Sequence, residues 1–176
     1  MHTLLAIDPG NVFSGWVHLN TTTYEVLGKG KDINEDLLQW LEDGTLKPDS
    51  ICIEMIKSYG MSVGHTVFET CVWIGRFYER GRIITGTDPD LIFRQEIRLH
   101  HCKSPKANDS TVRQALVDRF APNASNGGKG SKKEPGFFYG FSQDMWQAFA
   151  LGAYKIDLDT NSTAHITGIQ PNTTTD

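Results

Sequence analysis

Two short apolar runs in this sequence each carry a carboxylate where a buried strand tolerates one only for a reason. TLLAID ends in Asp8, followed at once by Pro9 and Gly10, and SICIEM contains Glu54. Aspartate is depleted in strands, and acids are seldom buried without a partner. Taken singly, either residue reads as a structural hydrogen-bond acceptor or as the mark of a strand end. As a pair they say more. Both lie near the C-terminal ends of apolar strands that one sheet can hold side by side, which is where α/β sites form. A third acid, Asp144, opens a late helical segment behind Ser142, a candidate N-cap. Its structural reading is complementarity to the helix dipole, worth about 0.3–1 kcal/mol. Should the three converge, their charge is costly unless a cation is present. Hard oxygen ligands of this kind suit Mg²⁺ or Mn²⁺ rather than zinc. Two such ions about 4 Å apart can activate a water and stabilise the leaving oxygen of a phosphodiester. Gly10 and Gly15 leave room for close backbone approach beside such a site.

The elements that must position these acids follow from periodicity. Residues 3–8 read as a buried strand, 12–19 as a half-buried one and 23–28 (TYEVLG) as a third, reached through an Asn-Thr-Thr turn. INEDLLQWLEDG, 33–44, is an amphipathic helix that Gly44 ends. Residues 50–55 are a fourth strand, and 63–80 carry a long helical stripe closed by Gly81. RIIT, 82–85, reads as the fifth strand. Two short helices are expected over 90–120, the second capped by Asp109 or Ser110, and a last helix over 143–155. The order predicts an α/β fold. Its mixed five-stranded sheet has three antiparallel strands first, then additions through helical crossovers. One folded unit spans 1–156, the Gly/Lys/Asn/Ser-rich stretch 121–136 is a flexible basic loop, and 157–176 form a frayed tail.

Composition sets the limits. At 176 residues, with 39% hydrophobic and 22% charged residues, the chain is one soluble domain. It shows neither a bilayer-length apolar run nor a secretory leader, so a cytoplasmic location without membrane partners is expected. Cys52, Cys71 and Cys102 are odd in number and unpaired in spacing, which fits reduced thiols that fill a core. The Asn-x-Ser/Thr matches at Asn20, Asn123 and Asn172 carry no meaning in that setting. Net charge is −4, yet its distribution is uneven. Between Arg94 and Lys133 lie nine cations (Arg94, Arg98, Lys103, Lys106, Arg113, Arg119, Lys129, Lys132, Lys133) against Glu96, Asp109 and Asp118. Such a segment is either a footprint for phosphate backbones or a solvated loop.

The ordered motifs carry a resemblance. AIDPGNVFSGW resembles the first motif of the RuvC-like Holliday junction resolvases, ICIEM is similar to their second acidic strand, and RQEIRLHHCKSPKANDSTVRQALVDRF with KKEPGFFYGFSQDMWQAFALGAY resembles the compact bacteriophage-encoded members. It covers about residues 3–155. The first motif alone is shared with sugar kinases and actin-like ATPases, which need two lobes, a longer chain and a nucleotide. The resemblance implies an RNase H-like fold, no nucleotide cofactor, and a homodimeric nuclease using Mg²⁺ or Mn²⁺, two ions per site. Such an enzyme cuts branched DNA in paired fashion, leaving 5′-phosphate and 3′-hydroxyl ends. Asp8, Glu54 and Asp144 then take the catalytic and metal-ligand positions. The bacterial pattern places a further acid three residues after the third, where this chain has Gln147, a neutral amide and at most an accessory ligand. Lys103, Lys106 and Arg113, with Lys132 and Lys133, are the candidates for the DNA backbone. Tyr59 either stacks on an unpaired base or packs internally. The 63–80 stripe serves a dimer face or an internal core. A junction-binding protein with weakened catalysis is the alternative, motivated by Gln147 and the acidic total charge. General branched or flap DNA is the alternative substrate.

Overall fold

The computed structural model describes residues 1–57, 60 and 64–167, with side chains to 163. Tyr59 therefore lies outside the described residues. Two-residue alternation in the central strand divides the interior. In β1 (Thr3–Asp8), Leu4 and Ala6 join one core cluster, and Leu5 and Ile7 join another. Successive strand side chains point to opposite faces, so a strand buried on both sides must be apolar at nearly every position. The flanking strands are β2 (Phe13–Asn20), β3 (Val26–Ile33), β4 (Ser50–Met55) and β5 (Asp90–Phe93). The sheet order is β3-β2-β1-β4-β5, antiparallel over the first three strands in sequence and parallel from β1 to β4 and β4 to β5. This is the mixed sheet that the element order predicts.

Helices α1 (Asn34–Glu42) and α2 (His65–Thr85) cover one face through Leu37, Leu41, Trp73, Ile74 and Phe77. Helices α3 (Arg94–Cys102), α4 (Asp109–Phe120) and α5 (Gln143–Thr167) cover the other through Ile97, Leu116, Phe149 and Leu151. Gly152 of α5 is the close-approach point, because a Cβ there would stand 2.7 Å from Leu19 Cδ1. An aromatic group of Phe137, Phe138, Phe141, Trp146 and Phe149 closes this second core. Truncating a fully buried member such as Phe149 costs about 3–5 kcal/mol. Among the described residues no helix is long and apolar enough to cross a membrane.

Several boundaries differ from the sequence expectation, each for a physical reason. The third strand starts at Val26 rather than 23, because Asn20 Oδ1 accepts from the amides of Thr22 and Thr23 and Tyr24 takes φ 60°. Its edge segment continues through Gly28–Lys31, which no apolar pattern announces. Residues 82–85 are not a strand. They are the last turn of α2, with Ile83 and Ile84 facing outward and Gly86 closing the helix at φ 73°. Gly81 lies inside that helix because a Cβ there would meet Pro89 and Ile51. The fifth strand is Asp90–Phe93. Asn108, not Asp109 or Ser110, caps α4 by accepting from the Thr111 amide. The 121–136 stretch includes a short 3-10 turn at Ser125–Gly128 and a Gly130–Pro135 bridge. Helix α5 continues to Thr167, past the boundary near 157, and Asp157 within it bonds Tyr24, His100 and Arg119.

Candidate active site

Strand parity decides where the acids point. Asp8 continues the alternation of Leu4 and Ala6, and Glu54 continues that of Cys52, so both face the layer of α3, α4 and α5. Parallel pairing sets Ile7 opposite Ile53, and one residue further places Asp8 beside Glu54. They stand at the C-terminal edge of two adjacent parallel strands, as the sequence led one to expect.

Burial makes this pair electrostatically expensive. Glu54 is 9% exposed and Asp8 is mostly buried. Burial, followed by the charges of Glu54, Asp144 and Asp109, pushes Asp8 well above the usual carboxylate range, with Arg94 opposing. Burial also raises Glu54, again against the pull of Arg94. Arg94 opens α3 directly after β5, so the same sheet edge that presents the acids presents their counterion. Its Nε donates to Glu54 Oε1 at 2.5 Å, and its Nη2 lies 3.4 Å from Asp8 Oδ1. Its Nη1 stands 3.8 Å from Asp109 Oδ2, and Arg98 Nη2 holds the other oxygen, Oδ1, at 3.0 Å. Burial alone would lower Arg94, but Glu54, Asp8 and Asp109 outweigh it and raise its pKa.

The pair lines an open cleft of about 440 Å³ with Gly10, Lys57, Arg94 and Arg98. Among the described residues, Glu54 Oε2 is buried and has no hydrogen-bond partner. That orphaned oxygen, the excess negative charge at Asp8 and the all-oxygen donor set fit a hard divalent cation held by Asp8 and Glu54. Asp144 approaches differently. Its carboxylate is 2.5 Å from Lys31 Nζ, and its charge is felt at Asp8. Among the described residues no three acids, imidazoles or thiols converge closely enough to hold an ion together. The backbone of Asp144 is pressed against β2 at Gly15, the residue paired with Asp8. A Cβ on Gly15 would stand 2.6–2.7 Å from Asp144 backbone and Cβ atoms. Gly15 is thus clearance for the first turn of α5.

The remaining expected site residues scatter. Gln147 and Arg113 line a neighbouring cleft with Asp109 and Lys129 rather than the Asp8–Glu54 cleft. Lys103 is the C-cap of α3, in the left-handed region at φ 55°, and lines a separate cleft with Tyr24, His100, Arg119 and Asp157. That cleft lies at the far end of α3 from Arg94, about 13 Å along a nine-residue helix. Lys106 is exposed in the α3–α4 connection, and Lys132 and Lys133 are exposed in the Gly130–Pro135 turn. Sequence reasoning counted Arg94 and Arg98 only as members of a basic segment and gave Asp109 no role beyond that of a candidate cap. The available signal was position: Arg94 immediately follows the true last strand, on the edge where Asp8 and Glu54 sit.

No protein-family model matches the sequence, and neither does any curated protein. Solved structures do match in fold. Thermus thermophilus RuvC in complex with a Holliday junction substrate superposes with a TM-score of 0.64 at 10% identity, covering 92% of this chain and 98% of that one. A second Thermus thermophilus RuvC structure gives 0.62 at 10% identity, covering 90% and 96%. The chain has the RuvC-like, RNase H-like fold, with the mixed five-stranded sheet flanked by helices that was expected.

Proposed function

We propose that this RuvC-like chain is a divalent-cation-dependent endonuclease of branched DNA, acting as a homodimer on four-way junctions. The observation that carries the reading is the Asp8–Glu54 pair on adjacent parallel strands, with Glu54 Oε2 buried and unpartnered among the described residues. Mg²⁺ or Mn²⁺ bound there would supply charge stabilisation for phosphodiester hydrolysis. Asp8 and Glu54 would hold the cation; Asp144, which does not converge with them while paired to Lys31, would add a third oxygen donor on leaving that pair. Arg94 holds the pair in register before the cation arrives. Its guanidinium then faces a cleft already lined by Lys57 and Arg98, where it can meet a phosphate oxygen. The exposed apolar residues Phe68, Val72 and Ile83 along α2 support pairing of two copies, which paired cutting requires. Lys103, Lys106, Lys132 and Lys133 remain candidates for more distant backbone contacts, and the chain is expected to act in the cytoplasm.

Labelled four-way, three-way and flap DNAs incubated with Mg²⁺ or Mn²⁺ test the reading, with Asp8→Asn as control. Cleavage by wild type and none by Asp8→Asn, with junction binding kept, is expected; equal cleavage by both would sink the mechanism. One observation favours a second reading, a junction binder without catalysis: Arg94 already satisfies part of the pair and Lys31 occupies Asp144. Wild-type protein that shifts junction DNA yet never cuts it in either metal would establish that reading.

A further inference from the structure

A second cleft, of about 300 Å³, adjoins the carboxylate cleft across Asp109. The first turns of α4 and α5 both open onto it, at Asp109–Ser110 and at Ser142–Gln143. A helix N-terminus directs unpaired amides and partial positive charge outward. Two cations stand there without a carboxylate partner among the described residues. Arg113 lies over the Trp146 ring at 4.8 Å, and Lys129 comes from the loop after the 3-10 turn. Cation–π contact fixes the guanidinium plane without neutralising it. Gln147 is 7% exposed, lines the cleft, and its side-chain amide bonds none of the described residues. The amide therefore faces the cleft with its hydrogen-bonding capacity unused by the described residues.

We infer that this cleft is a binding subsite for one nucleotide unit of a DNA strand. Arg113, Lys129 and the two helix ends take the phosphate, and the Gln147 amide bonds the sugar or base edge. The Asp109 carboxylate, engaged by Arg94 and Arg98, is the wall between this subsite and the Asp8–Glu54 cleft. The strand held here is thereby led toward the acids. The inference rests on the branched-DNA reading and gives Gln147 a ligand other than metal.

Binding of a fluorescein-labelled four-way junction, measured in EDTA across a salt series, tests it. Arg113 is exposed, so Arg113→Gln folds normally, and thermal melts of each variant check this. Arg113→Gln and Lys129→Gln are each expected to raise Kd about tenfold and to reduce the slope of log K against log salt by about one. Gln147→Leu should weaken binding several-fold with the slope unchanged. Lys47→Gln, the same charge change at the opposite end of the sheet, before β4, should move neither. Wild-type binding with unmoved cleft variants, or an equal effect from Lys47→Gln, overturns the subsite and leaves the nuclease reading intact. Wild-type protein that binds no junction overturns both.

Discussion

Arg94 Nε lies 2.5 Å from Glu54 Oε1, on a carboxylate whose other oxygen has no partner among the described residues. The guanidinium therefore does part of what a divalent cation would do: it offsets charge that burial has made costly. It also competes for the same carboxylate. Both consequences are measurable.

Arg94→Gln leaves two largely buried acids without their counterion. Fully buried pairs broken on one side lose about 3–5 kcal/mol. Arg94 keeps a 35% exposed side chain, so a loss of about 1–3 kcal/mol in EDTA is expected. Mn²⁺ should then restore more stability to the variant than it adds to wild type, because ligand binding to the folded state stabilises it by mass action. Melting curves with and without Mn²⁺ decide this. A variant with the wild-type response shows that the two cations do not share the site.

Asp8→Asn should separate activity from stability. Burial and like charge raise the Asp8 pKa, so its ionised form destabilises the fold without a cation. The neutral amide is expected to melt at or above the wild-type temperature in EDTA, by the equivalent of about 1 kcal/mol, while cleavage disappears. Differential scanning calorimetry beside a junction-cleavage assay reads both.

Gly15→Ala places a methyl 2.6 Å from the Asp144 carbonyl oxygen. Overpacking of this kind costs about 1–3 kcal/mol. Because the displaced atoms begin α5, cleavage should fall by more than the stability loss explains. Ser14→Ala on the same strand, which only breaks the hydroxyl bond to Asn34 Oδ1, should lose stability without that excess. Parallel melts and cleavage rates distinguish the two.

Acid should unfold the protein in two windows. His101 donates through Nε2 to the Ala150 carbonyl, and burial lowers its pKa from 6.5 to about 4. Below about pH 6.5 the unfolded chain binds a proton that the folded one refuses, so stability falls between pH 6.5 and 4, by about 2–3 kcal/mol. Asp157 shifts to the acid side of its ordinary range. Burial would raise it, but Arg119, Tyr24 and His100 bring it down to about 2. Its contribution, about 2 kcal/mol, is complete above about pH 4 and is lost as pH falls toward 2. In chemical denaturation across pH, His101→Gln should flatten the first window and Asp157→Asn the second.

The sequence made Asp8 and Glu54 legible because strand parity is local. Once Leu4–Ala6 and Cys52 are buried on one face, the acids two residues on share it. Asp144 was legible as a helix-opening acid, but its contact with Gly15 joins residues far apart in the chain. Arg94 was missed through one misplaced strand. The β-branched pair Ile83–Ile84 imitates a strand, yet α2 simply continues through it and leaves both partly exposed. With the strand set at 82–85, Arg94 had no reason to stand at the sheet edge. Residues Gly28–Lys31 escaped because an edge strand paired on one side needs little apolar pattern. Asp109 hid behind Asn108, the true cap, since either residue suits a helix start.

Helix α5 bears on how the molecule comes into being. It supplies Phe149 and Leu151 to the core, the clasp at Asp157, and Asp144 beside Gly15, yet its residues leave the ribosome after all five strands. Until residues 143–157 emerge, the sheet face that carries Asp8 and Glu54 has only α3 and α4 to cover it, without the packing of Phe149 and Leu151 or the contact of Asp144 with Gly15. Completion of the fold and completion of the candidate site are therefore one event in synthesis. A chain that stops short of α5 lacks Asp144 beside the Asp8–Glu54 pair.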